Sequence, residues 1–209
     1  TGKLMPAFSA PKATVTPESQ VTYKQPPVSY TLAPSRFISQ SFNNCGPASL
    51  SMVLSMFGKD VDQETLADSM RPFHNPAGGV DDKSIFAEEF VTYAREQGFQ
   101  ALERPNGTPE LLKKLIANDI PVVVRTWLHP NEDIGHFRIV RGYNDETKTF
   151  IQDDSYQGPT LSYSYGEFLA MWQPCIYGYM LVYPSDKQPL IEAILGEEMD
   201  EKIAYAHSI

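Results

Sequence analysis

Cys45 stands in the string Gln40-Ser41-Phe42-Asn43-Asn44-Cys45-Gly46-Pro47, directly ahead of the apolar run Ala48 to Phe57. Leu50, Val53, Leu54 and Phe57 recur at helical spacing, and Gly58 supplies a stop. Pro47 suits a first helical turn, because its missing N–H would have had no intrahelical partner. A thiol at that point sits at the positive end of a helix dipole, which stabilises the thiolate and draws its pKa below the free value of about 8.5. Gly46 lets backbone come close to a substrate. Most free cysteines are buried small hydrophobes, but such a residue has no use for the polar Asn43-Asn44 approach or for a helix start at its own position. Cys45 therefore reads as a nucleophile.

A thiolate nucleophile needs a general base and a group that orients the base. Of the four histidines, His74 lies in a Pro/Gly-rich loop, His129 precedes Pro130 in an acidic turn, and His207 is close to the end of the chain. His136 opens the alternating run Gly135-His136-Phe137-Arg138-Ile139-Val140-Arg141-Gly142-Tyr143, the pattern of a strand with a buried face, so its imidazole has a rigid element beneath it. A second strand, Thr149 to Gln152, follows the polar stretch Asn144 to Lys148, which closes a hairpin. Pairing the two strands returns the end of the second, Asp153-Asp154-Ser155-Tyr156, to the start of the first. A carboxylate there is placed to accept the Nδ1–H of His136 and fix its tautomer. Asp153 and Asp154 point to opposite faces of an extended chain, so one of them serves; otherwise both are solvated turn residues.

These blocks, Gln40, Cys45-Gly46-Pro47-Ala48, Gly135-His136 with Gly142-Tyr143, and Asp154-Ser155-Tyr156-Gln157-Gly158, resemble the papain-like cysteine peptidases. Within that clan they are similar to the bacteriocin-leader (double-glycine) peptidases and their free-standing secreted relatives, and the resemblance spans roughly residues 30–184. The family's Asp-Pro-Tyr-x-Gly motif carries the triad aspartate, and the match, with Ser155 in place of Pro, implies Asp154. The family's oxyanion-hole glutamine maps to Gln40, five residues ahead of Cys45 where many members have six. The resemblance implies hydrolysis of a peptide or related amide by Cys45, His136 and Asp154, with Gln40 and the Cys45 N–H holding the oxyanion.

The elements that must position these residues read as follows. Asp62 to Met70 is a short helix with Asp62 as cap, and the loop Pro72 to Asp82 follows; Ser84 to Gln97 is a second amphipathic helix closed by Gly98. Thr108 caps a helix through Asn118 with Pro109 at its first position. Ile120 to Trp127 is a β-branched buried strand, Tyr165 to Trp172 a helix, and Ile176 to Tyr183 a closing strand, which the apolar run from Cys175 feeds. Helices first and an antiparallel sheet afterwards make an α+β fold of papain-like type, with the N-terminal helical half packed on the sheet half and the active site between them. The loops Pro72 to Asp82 and Trp127 to Gly135 would gate the cleft. Trp127 and Gly135 are candidate substrate contacts, as are His129 and Glu132, although Trp127, His129 and Glu132 also suit an ordinary loop.

With 209 residues, 42% of them hydrophobic, the chain can bury one core. Residues 35–184 form the expected domain. Residues 1–34, with six prolines among many Ser and Thr, read as an extended stalk or a strand-like arm docked on the domain. Residues 185–209 are a charged tail, either a solvated terminal helix or the approach to a helical repeat domain of the kind that follows in some relatives. A net charge of −9 without a Lys/Arg cluster excludes nucleic acid as a partner. No apolar run reaches the roughly 18 to 20 residues of a membrane helix. The expected setting is extracellular or cell-surface with a possible anchor upstream, and the expected partner is a peptide or protein substrate. No cofactor and no disulfide is assigned. Zinc on Cys45, His136 and Asp154 lacks the short-range ligand pairs such sites use. The competing reading from another class is a non-catalytic module that binds a peptide or cell-wall component on the same fold.

Overall fold

A computed structural model of the chain describes residues 21–70 and 85–207; the loop expected over 72–82, with His74, falls outside them. A short strand β1 (Ser29–Thr31) precedes helix α1 (Cys45–Ser55). α1 is buried from Gly46 to Leu54, which explains why its sequence is apolar or small on every side rather than striped. It starts at Cys45 itself and ends at Ser55, short of the expected Phe57. Gly58, at φ +77°, reverses the chain so that the Lys59 N–H donates to the Leu54 carbonyl. α2 (Gln63–Met70) is capped by Asp62, whose Oδ2 accepts from the N–H groups of Glu64 and Thr65 at 3.0 and 3.1 Å. α3 (Ala87–Glu96) is the next described helix, starting after Phe86 rather than at the expected Ser84.

Next come β2 (Gln100–Arg104), α4 (Pro109–Ala117), β3 (Val122–Trp127), β4 (Gly135–Asn144), β5 (Thr149–Asp154) and β6 (Gly158–Ser164). Thr108 Oγ1 caps α4 through the Leu111 N–H at 3.1 Å, with Pro109 at the first helical position. α5 (Tyr165–Trp172) has the bounds its sequence implies, set by a capping box between Ser164 and Glu167. The closing strand β7 (Tyr179–Tyr183) begins later than Ile176. A 3₁₀ turn over Gln173–Cys175 and left-handed backbone at Ile176 and Tyr177 occupy the start of that apolar run, held by a Trp172 Nε1–H donated to the Gly178 carbonyl. α6 (Gln188–Leu195) and α7 (Glu201–Ala206) complete the chain.

All strands pair antiparallel in the order β2-β7-β3-β4-β5-β6, with β1 added to the far end of β4. Side chains alternate across the sheet, so both faces can carry a core. On one face Val123, Phe137, Ile139 and Met180 pack against Leu54 of α1, Leu66 of α2 and Phe90 of α3. On the other, Val122, Val124, Val140 and Leu181 pack against Leu112 and Leu115 of α4, Phe168 and Trp172 of α5 and Ile191 of α6. The fold is α+β, with the N-terminal helices on one face of an antiparallel sheet and a second helical layer behind it. β2 and β6, neither of them expected as a strand, are the two edges of that sheet.

The described part of the N-terminal arm lies against the domain. The Leu32 N–H donates to the Arg141 carbonyl at 2.8 Å, the Tyr143 hydroxyl to the Pro27 carbonyl at 2.9 Å, and the Lys24 N–H to Asn118 Oδ1 at 2.8 Å. Gly142 makes this crossing possible, since a Cβ there would stand 2.7 Å from Thr31 Oγ1. Among the described residues no helix is long and apolar enough to cross a membrane.

Candidate active site

The first turn of α1 meets the start of β4 where the helical layer ends. Ser49 of α1 donates its hydroxyl to the Phe137 carbonyl at 3.3 Å, pinning the helix to the strand one residue past His136. The loop leading to Cys45 is held from α2: Gln63 Oε1 accepts from the Ser41 N–H and the Asn44 side-chain amide at 3.1 and 2.9 Å, and its own amide donates to the Ser39 carbonyl. Nothing in the periodicity of α2 reveals this role for its first residue.

Cys45 and His136 line one cleft of about 590 Å³, together with Gln40, Phe42, Arg125 and Tyr156. Burial pushes the Cys45 thiol up, but a hydrogen bond and charge from His136, with backbone hydrogen bonds from Phe137 and Gly46, outweigh it and leave the thiol below its ordinary value. His136 is 3% exposed. Burial alone would lower its pKa, yet Asp154 and the thiol hold it above the ordinary histidine value. Such a pair favours thiolate and imidazolium together.

His136 Nε2 lies 2.9 Å from Asp154 Oδ1. This corrects the expectation that the carboxylate takes Nδ1. The carboxylate belongs to the neighbouring strand, where the register running through Ile139 and Asp153 sets Asp154 diagonal to His136, a reach of about 7 to 8 Å that the distal ring nitrogen covers, and this leaves Nδ1 for the thiol. Asp154 Oδ1 also accepts from the N–H groups of Tyr156 and Gln157 at 2.8 and 2.9 Å, and Arg138 Nη1 stands 3.1 Å from Oδ2 as an ion-pair contact. Burial raises the Asp154 carboxyl, but His136, Arg138 and the Gln157 backbone hold it below the usual range. Asp153 faces elsewhere. It accepts from the Ser35 N–H and hydroxyl at 3.0 and 2.8 Å and from the Thr160 N–H at 2.9 Å, and it pairs with Arg141.

Gln40 is tied to the same motif. Its N–H donates to the Ser155 carbonyl at 2.9 Å, and the Ser155 hydroxyl donates to Gln40 Oε1 at 2.9 Å. With its oxygen so engaged, the Gln40 side chain keeps its NH₂ donors for the cleft it lines. The two departures from the family pattern, the five-residue spacing of Gln40 and Ser155 in place of Pro, thus meet in one hydrogen bond. Sequence reasoning missed Ser155, although the substitution itself was the visible signal.

Of the candidate substrate contacts, Gly135 lines this cleft while Trp127 lines a second cavity beside it. His129 and Glu132 lie outside both linings, with His129 Nδ1 3.0 Å from Gln157 Nε2 and its Nε2 3.8 Å from Glu132. The rim is instead apolar and open: Phe42, Ile134 and Tyr156 are 79%, 49% and 63% exposed. Exposed large apolar side chains grouped at a cleft mark a binding surface. Among the described residues no three His, Cys, Asp or Glu side chains converge on a metal position, and Cys45 and Cys175 are both free. Burial raises the Cys175 thiol.

An antiparallel sheet bearing a thiol–imidazole pair across its helical layer defines the class of papain-like cysteine peptidases. Residues 14–178 match the sequence model of the Peptidase_C39 like family, and the chain belongs to that family as a cysteine peptidase-like enzyme. Its fold is similar to that of the peptidase domain of Streptococcus ComA, a bi-functional ABC transporter involved in a quorum sensing pathway (17% identity, 73% of this chain and 100% of that one, TM-score 0.57). It is also similar to a double glycine motif protease from an AMS/PCAT transporter in complex with the leader peptide (19%, 75% and 95%, TM-score 0.56). A third likeness is to xylellain, a cysteine protease from Xylella fastidiosa (12%, 79% and 91%, TM-score 0.58). At these identities the likeness speaks for the fold. No curated protein matches.

Proposed function

We propose that the chain hydrolyses peptide or related amide bonds with Cys45 as nucleophile, His136 as acid and base, Asp154 as the group that orients His136, and Gln40 with the Cys45 N–H as oxyanion donors. The thiolate attacks the carbonyl carbon, and the developing oxyanion is held by the Gln40 amide and the first free N–H of α1. Imidazolium gives its Nδ1 proton to the leaving amine, and a thioester remains. Nδ1 then takes a proton from water, whose oxygen attacks the thioester and expels the thiolate. Ser155 is a positioning residue for Gln40. The observation that carries this reading is the buried sequence of contacts from Arg138 through Asp154 and His136 to a thiol whose pKa is drawn down. The apolar rim of Phe42, Ile134 and Tyr156 suits an extended peptide.

Iodoacetamide labelling followed by mass spectrometry tests it. Near pH 6 to 7, Cys45 is expected to be alkylated much faster than Cys175, whose thiol is shifted the other way. The rate should rise through an inflection below the ordinary thiol value of about 8.5. Equal, slow labelling of both thiols would leave a binding module as the better account of the cleft.

A further inference from the structure

The waist of the cleft narrows the class of substrate. A second cavity of about 380 Å³ abuts the first, and Arg125 and Gly135 line both. Arg125 lies on β3 opposite Phe137, and Gly135, opposite Trp127, is the strand position beside its guanidinium. A Cβ on Gly135 would stand 3.2 Å from Arg125 Nη2, so the bare backbone of Gly135 leaves that head group room in the groove.

The other described arginines are all engaged. Arg36 pairs with Asp60, and Arg95 donates to the Ala101 carbonyl. Arg104 donates to the carbonyls of Glu103, Glu198 and Met199. Arg138 is held by Thr126, Gln157, Leu128 and Asp154, and Arg141 by Leu32, Thr160 and Asp153. Arg125 is half-buried and has no hydrogen bond or ion pair among the described residues. A guanidinium partly withdrawn from water, with its fork of donors unspent, is built to take a planar acceptor.

We infer that Arg125 anchors a carboxylate of the substrate, so that the enzyme takes peptides bearing an acidic side chain or a free C-terminal carboxylate close to the bond attacked by Cys45. The carboxylate sits on the Cys45 side of Arg125. There no described lining residue is acidic, whereas the second cavity carries Glu103 and Asp133. The whole chain carries a net charge of −9, so its long-range field repels an anionic ligand and any preference for one has to come from a local contact.

The inference rests on Cys45 as nucleophile, and matched bromoacetyl peptides test both. One set carries a single Glu, moved through successive positions and paired with a Gln counterpart, all with amidated C-termini. A second set carries Gln throughout and compares a free C-terminal carboxylate with the amide. The rate of Cys45 alkylation is read for each probe. In the wild type the carboxylate member of one pair should react about tenfold faster than its amide partner, the low end for a hydrogen bond to a charged group. Arg125→Gln should bring that ratio to one or below, and Arg125→Lys should leave part of it. A preference in the first set assigns the side-chain source and one in the second set the chain end. Ratios at or below one at every position, or a preference that survives Arg125→Gln, would overturn the inference while Cys45 still reacts. Failure of every amide probe to label Cys45 faster than Cys175 would instead remove the nucleophile, and the anchor with it.

Discussion

Asp153 and Asp154 differ by one position and a half-turn of extended backbone, and their partners divide structure from proposed chemistry. Asp154→Asn should slow Cys45 alkylation at neutral pH and cut amide hydrolysis by about 10²-fold or more. Asp153→Asn should lower the melting temperature, through the Ser35, Thr160 and Arg141 contacts it loses, without that effect on alkylation. Asp154→Ala is expected to cost about 3 kcal/mol or more of stability, because it leaves the fully buried Arg138 uncompensated; thermal denaturation reads this directly. The pH dependence has a definite sign. Asp154 is held below its ordinary value when folded, so its contribution is present above the unfolded value of about 3.9 and is lost as pH falls through the folded one. Denaturation midpoints measured from pH 5 downward should therefore fall less steeply in Asp154→Asn than in the wild type. Ser155→Ala separates positioning from reactivity. It should lower amide hydrolysis by about tenfold and leave iodoacetamide alkylation near the wild-type rate, since alkylation develops no oxyanion for Gln40 to hold. Equal losses in both assays would make Ser155 a structural residue.

The elements that carry the site differ in how plainly their sequences announce them. α4 and α5 have side-chain caps, and α4 has a proline at its first position as well; those local signals place their starts at Thr108-Pro109 and Ser164-Tyr165. β2 and β6 carry no such signal. Gln100–Arg104 is five residues long, and Gly158–Ser164 opens on Gly-Pro and stays partly exposed, so neither shows the apolar alternation of an inner strand. Each exists because a neighbour, β7 or β5, offers a free edge. The arm over 21–35 is a further case, since its prolines read as extended backbone while the surface it lies on belongs to residues 89 to 118 positions away. Gly142→Val should push β1 off β4 and destabilise the protein by about 1 to 3 kcal/mol, read as a lower denaturation midpoint.

At the scale of the whole molecule, the sheet carries a helical layer on each face, and the C-terminal residues belong to the second layer. Ile191, Ile194 and Leu195 of α6 join the core beside Leu112, Leu115 and Trp172, and Arg104 caps the turn after α6 through the carbonyls of Glu198 and Met199. Ile191→Ala is therefore expected to cost about 2 to 5 kcal/mol in chemical denaturation, where a solvated terminal helix would lose little. The sequence alone carried the α+β class, the helix that begins at Cys45, the strand with His136 near its start and the caps of α2 and α4, because helical period, alternation and capping are properties of neighbours along the chain. Residue type singled out Cys45, His136 and a pair of aspartates, and the resemblance added Gln40 and chose Asp154 from the pair. Only the tertiary structure showed that the carboxylate meets the imidazole at Nε2, that Ser155 holds Gln40, and that Arg125 has no hydrogen-bond or ion-pair partner among the described residues at the waist of the cleft. Those outcomes depend on strand register and on contacts between residues 18 to 115 positions apart, for which no local pattern exists.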